Sequence, residues 1–383
     1  MSARMDRPIL LAAGGTGGHM FPAEALAAAL LERGRRVVLV TDRRGGGFGD
    51  RLPAVEVRRI RAGGLAGRGL VARAQGLAAL GLGYFEARRI LRESAPALAV
   101  GFGGYASVPT MIAAAHAGVA LLLHEQNAVM GRANRLLAGR AARIATAFPI
   151  VAGLGAAEQS KTVLVGNPIR PAIAALGARP YVAPTPQGEL RILLVGGSQG
   201  ARVFSDLVPE AIAALEPAVR ARIRLVQQCR PEDLARVGEA YRRIGFTAEL
   251  APFFADMPER LAAAHLVIAR AGASTVSELT ATGRPALLVP YRFATDDHQT
   301  ANARALGAAG AAWVLPEAGL AATELADRLA ALLAEPARLA EAAAKARALG
   351  RPDAAERLAD LALALAPANG KPGSASYPKE AAA

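Results

Sequence analysis

His19 closes the stretch Gly14-Gly-Thr-Gly-Gly-His19. Imidazole is the side chain that trades protons near neutral pH. Glycines, lacking Cβ, let backbone N–H groups come close to a ligand. The stretch follows an apolar run, Pro8–Ala13, and leads into the helix formers Ala23–Leu31. It reads as strand, glycine turn, helix, and the helix start behind the turn favours negative charge. A dinucleotide fingerprint is the competing reading. GGTGGH does not fit G-x-G-x-x-G, although Asp42 ends the second strand where a ribose-binding acid would stand.

Two further stretches carry chemistry. His124-Glu-Gln-Asn127 follows the apolar run Val119–Leu123. Four hydrogen-bonding side chains at the end of such a strand are costly to bury unpaired, so they mark a polar site or a solvated loop. In Ala269-Arg-Ala-Gly-Ala-Ser-Thr-Val-Ser-Glu278 a strand ends at Arg270, Gly272 turns the chain, and Ser274 and Thr275 open a helix. That builds an anion site from helix N–H groups and hydroxyls. Glu278 follows one turn in, where a carboxylate can accept both hydroxyls of a ribose. The plainer alternative is a capping box, Thr275-x-x-Glu278. A second glycine turn, Gly196-Gly-Ser-Gln-Gly200, follows the apolar strand 191–195. His298 follows Asp296 and Asp297, which reads as a capped, charged turn in preference to a metal site. His116 and His265 stand among alanines and read as structural.

The elements that position these groups repeat strand and helix along the whole chain. Strands are expected at 37–40, 55–60, 98–102, 119–123, 144–147 and 162–165. Further strands are expected at 191–195, 223–227, 247–250, 266–269, 286–290 and 311–315, with helices between and after them. This alternation argues for parallel sheets with helices on both faces. Ligands of such sheets bind outside the carboxyl ends of the strands, where every unusual polar stretch above falls. Two glycine turns half a chain apart suggest two similar domains facing one cleft. Turn chemistry at Gly166–Arg170 places their boundary: 1–168, then 169–351, with a last helix at 352–366. From Asn369 onward Gly, Pro, Ser and Lys predict a disordered tail, 367–383.

Composition sets bounds. The 383 residues are 52% hydrophobic and 20% charged, which makes the chain globular. Cys229 is the only cysteine, which excludes an internal disulfide and a multi-cysteine zinc site and fits a reducing compartment. Residues 95–123 contain no Asp, Glu, Lys or Arg but hold Pro96, Pro109 and four glycines. They divide into strand, loop, helix and strand better than they span a membrane. Residues 1–165 carry 21 Lys+Arg against 10 Asp+Glu, or +11, while residues 166–383 carry 24 against 22, or +2. A basic first half implies an anionic partner: nucleic acid, anionic lipid or a phosphorylated substrate.

Taken in order, GGTGGHMFPAEALA, GFGGYASVP, LHEQNAVMGRANRLLA, GNPIR, LLVGGSQGAR and ARAGASTVSEL resemble the MurG family of peptidoglycan glycosyltransferases. The resemblance implies the GT-B fold, two doubly wound Rossmann-like domains. It implies inverting transfer of N-acetylglucosamine from UDP-GlcNAc to the C4 hydroxyl of MurNAc in lipid I, giving lipid II. It places the donor in the second domain, with Ser198, Ala273, Ser274, Thr275, Val276, Ser277 and Glu278 on the nucleotide and Gln299 on the sugar. Thr16, Gly17, Gly18, Asn127 and Arg170 match donor-site positions too. Phe254 stands where the family has an aliphatic residue near the uracil. Gly103, Gly104, Tyr105 and His124 fall on the acceptor side. His19 is the first candidate for general base and Glu125 the second. No Asp-x-Asp motif is evident, so no metal or other cofactor is expected. The expected partners are UDP-GlcNAc, lipid I and an anionic membrane surface, without nucleic acid. The expected location is the cytoplasmic face of the cell membrane. Residues 66–92, with Leu70, Val71, Leu77, Leu80, Leu82, Tyr84 and Phe85 among Arg68, Arg73, Arg88, Arg89 and Arg92, offer the membrane contact. A sugar-nucleotide epimerase and a non-catalytic nucleotide-binding module are the rival readings.

Overall fold

The computed structural model describes residues 7–14, 17–42, 52–63, 70–197 and 200–366. Thr16, Ser198, Arg68 and the expected tail 367–383 lie outside them, as do the side chains of Leu70, Val71 and Arg73.

The chain divides into two compact units. The first holds the residues up to Gln126, then Met130–Pro168, and the chain from Asp353 on; the second holds Asn127–Val129 and Ile169–Pro352. In the first, seven parallel strands run in the order β3-β2-β1-β4-β5-β6-β7. These are β1 Ile9–Ala12, β2 Val37–Thr41, β3 Glu56–Arg59, β4 Leu98–Gly101, β5 Ala120–Glu125, β6 Arg143–Thr146 and β7 Thr162–Leu164. The central strands are buried along their length, as expected for strands covered on both faces. β1 pairs with both β2 and β4, so the order reverses there and opens a crevice at their carboxyl ends. In the second unit six parallel strands run β10-β9-β8-β11-β12-β13. They are β8 Leu190–Val195, β9 Ile223–Gln228, β10 Ala248–Ala251, β11 Leu266–Ala269, β12 Ala286–Leu288 and β13 Ala312–Val314. Here the reversal lies between β8 and β11.

Each sheet has its own core. In the first unit Leu26 and Leu30, from the Gly17–Glu32 helix, pack with Ile9, Leu11 and Val100. Leu358, Leu361 and Ala362 of the last helix, Ala354–Leu365, complete that core. In the second unit Phe204, Val208 and Tyr241 pack on Ile192, Leu225 and Ile268.

Two sequence expectations need correcting, and one alternative fails. The first helix begins at Gly17, not Ala23, so Gly17, Gly18 and His19 form its first turn. Pro22 sits inside it, where its ring removes the hydrogen bond to the Gly18 carbonyl and crowds that carbonyl. β5 runs through Glu125, so His124 and Glu125 are strand residues paired against Ala145 and Thr146 of β6. The capping box at Thr275 does not form. The Ala273–Ala281 helix has extended Gly272 as its N-cap, with no side-chain cap. The apolar stretch 95–123 does resolve into β4, the Ser107–His116 helix and β5. Among the described residues no helix is long and apolar enough to cross a membrane.

Candidate functional site

The crevice of the first unit is built on close backbone approach. Gly14 donates its N–H to the Gly103 carbonyl at 3.1 Å, tying the end of β1 to the loop after β4. A Cβ on Gly104 would lie 2.9 Å from the Gly14 Cα, and Gly103 and Gly104 adopt φ of +88° and +78°. Only glycine meets both demands. The half-buried His19 ring lies against this pair. A Cβ on Gly103 would come within 3.2 Å of His19 Nε2, and one on Gly104 within 3.6 Å of Nδ1. Half-buried Tyr105 follows directly.

Behind His19 stands a buried polar network from the end of β5. The fully buried His124 donates from Nε2 to the Gly166 carbonyl at 2.9 Å, which leaves Nδ1 to accept the Gln126 amide at 3.1 Å. Gln126 also donates to the Phe102 carbonyl. Glu125 is 1% exposed, and its Oε2 accepts the Gly131 N–H and the Asn134 amide, each at 2.9 Å. Asn134 donates to the His124 carbonyl as well, while its own Oδ1 is buried without a partner. A Cβ on Gly103 would lie 3.8 Å from Asn134 Nδ2, so this network backs the His19 corner. Asn134 escaped the sequence reading because a lone asparagine in a short helix reads as solvated. His124, expected on the acceptor side, has no exposed surface and reaches a ligand only through its neighbours.

Burial pushes the His124 imidazole down to about 4; the Gly166 carbonyl pulls it up, and His19 adds to the depression. An unfolded histidine takes its proton near 6.5, which folded His124 refuses until about 4. The unfolded state therefore binds more protons in that window, and stability falls as pH drops through it. The slope is up to about 1.4 kcal/mol per pH unit for one group. His265 is shifted the same way, also to about 4, mainly by burial. Urea denaturation from pH 7 to pH 5 should show this decline, and His124→Gln should remove about one proton's share of it. An unchanged slope in the variant would contradict a neutral buried His124.

The second unit presents a different surface. The Ala273–Ala281 helix starts just past β11 with its first N–H groups uncapped by any side chain. Ser274 Oγ at that start is buried and has no partner. Ser277 turns its hydroxyl back to the Ala273 carbonyl, and Val276 is buried in the core. Glu278, one turn in, is gripped by Arg170, with Nε to Oε1 at 3.0 Å and Nη2 to Oε2 at 3.1 Å. Burial pushes the Glu278 carboxyl up, and the Arg170 guanidinium pulls it back down. Two lone pairs on each oxygen leave room for hydroxyl donors besides Arg170.

Asn302 is the organiser that sequence reasoning missed. Fully buried, it accepts the Ala128 N–H at 2.8 Å and donates to Asn127 Oδ1 and to the Ala271 carbonyl. It thereby fixes Asn127 beside the helix start. Gln299 Oε1 accepts the Tyr291 N–H, which ties down the loop before it. In that loop Asp296 and Asp297 both take φ of +52°, a strained pair. His298 Nδ1 donates to the Thr295 carbonyl, as a capped turn would have it. Phe254 is buried under Arg260, which lies 4.2 Å from the ring centroid, so only its backbone can face a ligand. Gln228 clamps the second glycine turn, accepting from Gly196 N and donating to the Gly197 carbonyl.

Comparison with known proteins shows the family. Residues 9–146 match the glycosyltransferase family 28 N-terminal domain and residues 191–358 its C-terminal domain. A relative from Rhodospirillum centenum is 58% identical over 94% of both chains. One from Paramagnetospirillum magneticum is 55% identical over 94% of this chain and 97% of its own. Both are named UDP-N-acetylglucosamine–N-acetylmuramyl-(pentapeptide) pyrophosphoryl-undecaprenol N-acetylglucosamine transferase. The crystal structure of MurG from Acinetobacter baumannii aligns with a TM-score of 0.75 at 30% identity, covering 93% of this chain and 99% of that one. A UDP-GlcNAc 2-epimerase from Neisseria meningitidis aligns with a TM-score of 0.62 at 11% identity, a likeness of fold alone. The chain belongs to glycosyltransferase family 28, and within it to the MurG family.

Proposed function

We propose that the chain transfers N-acetylglucosamine from UDP-GlcNAc to the C4 hydroxyl of MurNAc in undecaprenyl-pyrophosphoryl-MurNAc-pentapeptide, with inversion. The observation that carries this reading is the Ala273–Ala281 helix. Its uncapped N-terminus, the unpartnered Ser274 hydroxyl and the Arg170-held Glu278 suit the diphosphate and ribose of a nucleotide. The acceptor hydroxyl attacks the anomeric carbon. Its proton passes to His19, the bond from that carbon to the UDP oxygen breaks, and UDP leaves. Helix N–H groups facing the diphosphate stabilise the departing charge. Of the two candidate bases, His19 is half-buried and retains exposed surface, whereas Glu125 is enclosed and takes two N–H donors that hold it in place. Purified protein with UDP-GlcNAc and a lipid I analogue should yield the β-1,4 disaccharide and UDP. Conversion of UDP-GlcNAc to its 2-epimer without acceptor would favour the epimerase instead.

The acceptor carries a polyprenyl chain, and the Leu70–Ser94 helix offers a way to meet it at a membrane face. Leu77 and Phe85 are 60% and 64% exposed, so the plainer reading of an apolar side turned into the core fails for them. It holds for Ile90 and Leu91. Arg89 is engaged with Glu93 at 2.7 Å. Arg88 and Arg92 are exposed and line a cavity of about 250 Å³ with Tyr84 and His116. Each basic side chain at an anionic surface is worth about 1 kcal/mol. Sedimentation should show binding to anionic vesicles that weakens with salt and falls when Arg88 and Arg92 are reversed to Glu. Equal binding to neutral vesicles would remove the electrostatic part of this reading.

A further inference from the structure

The second unit holds a buried cation that no carboxylate among the described residues pairs with. Arg284, just before β12, is 2% exposed. Among the described residues no carboxylate pairs with it, and its Nε is buried without a partner. The Tyr181 ring, 5.6 Å from the guanidinium carbon, covers one face, and the Tyr181 hydroxyl is spent on the His265 carbonyl. A second cation stands beside it. Arg347 packs against Gly283, where a Cβ would lie 3.0 Å from its Nε, and donates to the carbonyls of Gly177, Arg179 and Thr282. Burial and Arg347 both push the Arg284 guanidinium down from its usual range. Neighbouring His265 also feels Arg284, together with Arg191 and Glu189. Glu189 is already shared by Arg191 at 3.6 Å and Arg224 at 3.3 Å.

Buried charges are paired or coordinate something; an unpaired one is strongly destabilising. A cation–π contact and the carboxyl end of the Ala273–Ala281 helix offset part of the cost, since that end carries partial negative charge. Neither gives the Nε hydrogen an acceptor. We propose that Arg284 is one wall of a binding site for a small monovalent anion of the chloride class, seated between the Arg284 donors and the field of Arg347. The near-absence of exposed surface selects a monatomic ion over phosphate. The site lies at the amino-terminal edge of the sheet, away from the strand ends that carry Ser274, and is independent of the transferase reading.

Crystals grown with bromide in place of chloride test this directly. An anomalous peak within about 3.5 Å of the Arg284 guanidinium nitrogens, a hydrogen-bond-range contact, is the expected result. An ordered water there, or no peak, overturns the proposal. In solution, exchanging chloride for gluconate at constant ionic strength should lower the melting temperature by about 2–4 °C. Arg284→Leu should melt at or above the parent's temperature and lose the chloride dependence, because it removes the charge the anion offsets. Arg284→Lys should retain it. Identical chloride dependence in parent and Arg284→Leu would also overturn the site.

Discussion

His19→Ala should lower turnover by about 10²–10⁴-fold, the usual contribution of a general base, while UDP binding to the isolated donor surface stays near the parent value. The split follows from geometry. His19 belongs to the first unit and rests on Gly103–Gly104, whereas Ser274, Glu278 and Arg170 belong to the second. His19→Gln keeps a similar size and a polar tip but no basic nitrogen, so it should fail like the alanine variant. Initial rates and UDP titrations on the same preparations separate the two effects. Near-parent turnover in either variant would move the base elsewhere, and Glu125→Gln would be the next test.

Glu278→Ala should weaken UDP-GlcNAc binding by roughly 1.5–3 kcal/mol, the worth of charge-assisted hydrogen bonds to the ribose. Arg170 makes this prediction sharper. Burial pushes the Glu278 carboxyl up, and the Arg170 fork works against that push. Arg170→Ala should therefore weaken the donor too, with a loss that grows as pH falls. Arg170→Lys should recover part of it, since a point charge replaces a two-pronged grip. Isothermal titration at pH 8 and pH 6 reads both. A drop in melting temperature with unchanged donor affinity would reduce the pair to a structural ion pair.

The parallel sheets were legible because their strands are short, wholly apolar runs bounded by glycine turns: Ile9–Ala12, Leu98–Gly101, Leu266–Ala269. The start of the first helix was not. Two glycines and a proline within its first six residues read as punctuation, yet the helix runs through all three. The candidate residues that lie in a motif with its own local physics, such as Gly104, Ser274 and Glu278, could be singled out from the sequence. Asn134 and Asn302 could not. Each matters because a distant backbone group needs it, the His124 carbonyl for one and the Ala128 N–H for the other. Sequence spacing does not report such partners. Arg170 was named from its motif, but its hold on Glu278, 108 residues away, was visible only in three dimensions.

The last helix bears on how the protein is made. Leu358, Leu361 and Ala362 fill a core otherwise built from residues between Ile9 and Val165, and Arg33 meets Asp360 at 3.1 Å. On the ribosome the first unit emerges early but lacks this piece until the whole second unit has been synthesised. At about 5–20 residues per second that delay is on the order of 10–40 s. Through it the Gly17–Glu32 helix keeps apolar surface that only the end of its own chain can cover. The second unit needs nothing from that final helix to close its core. The natural order of folding is therefore inverted: the half that is made second can finish first.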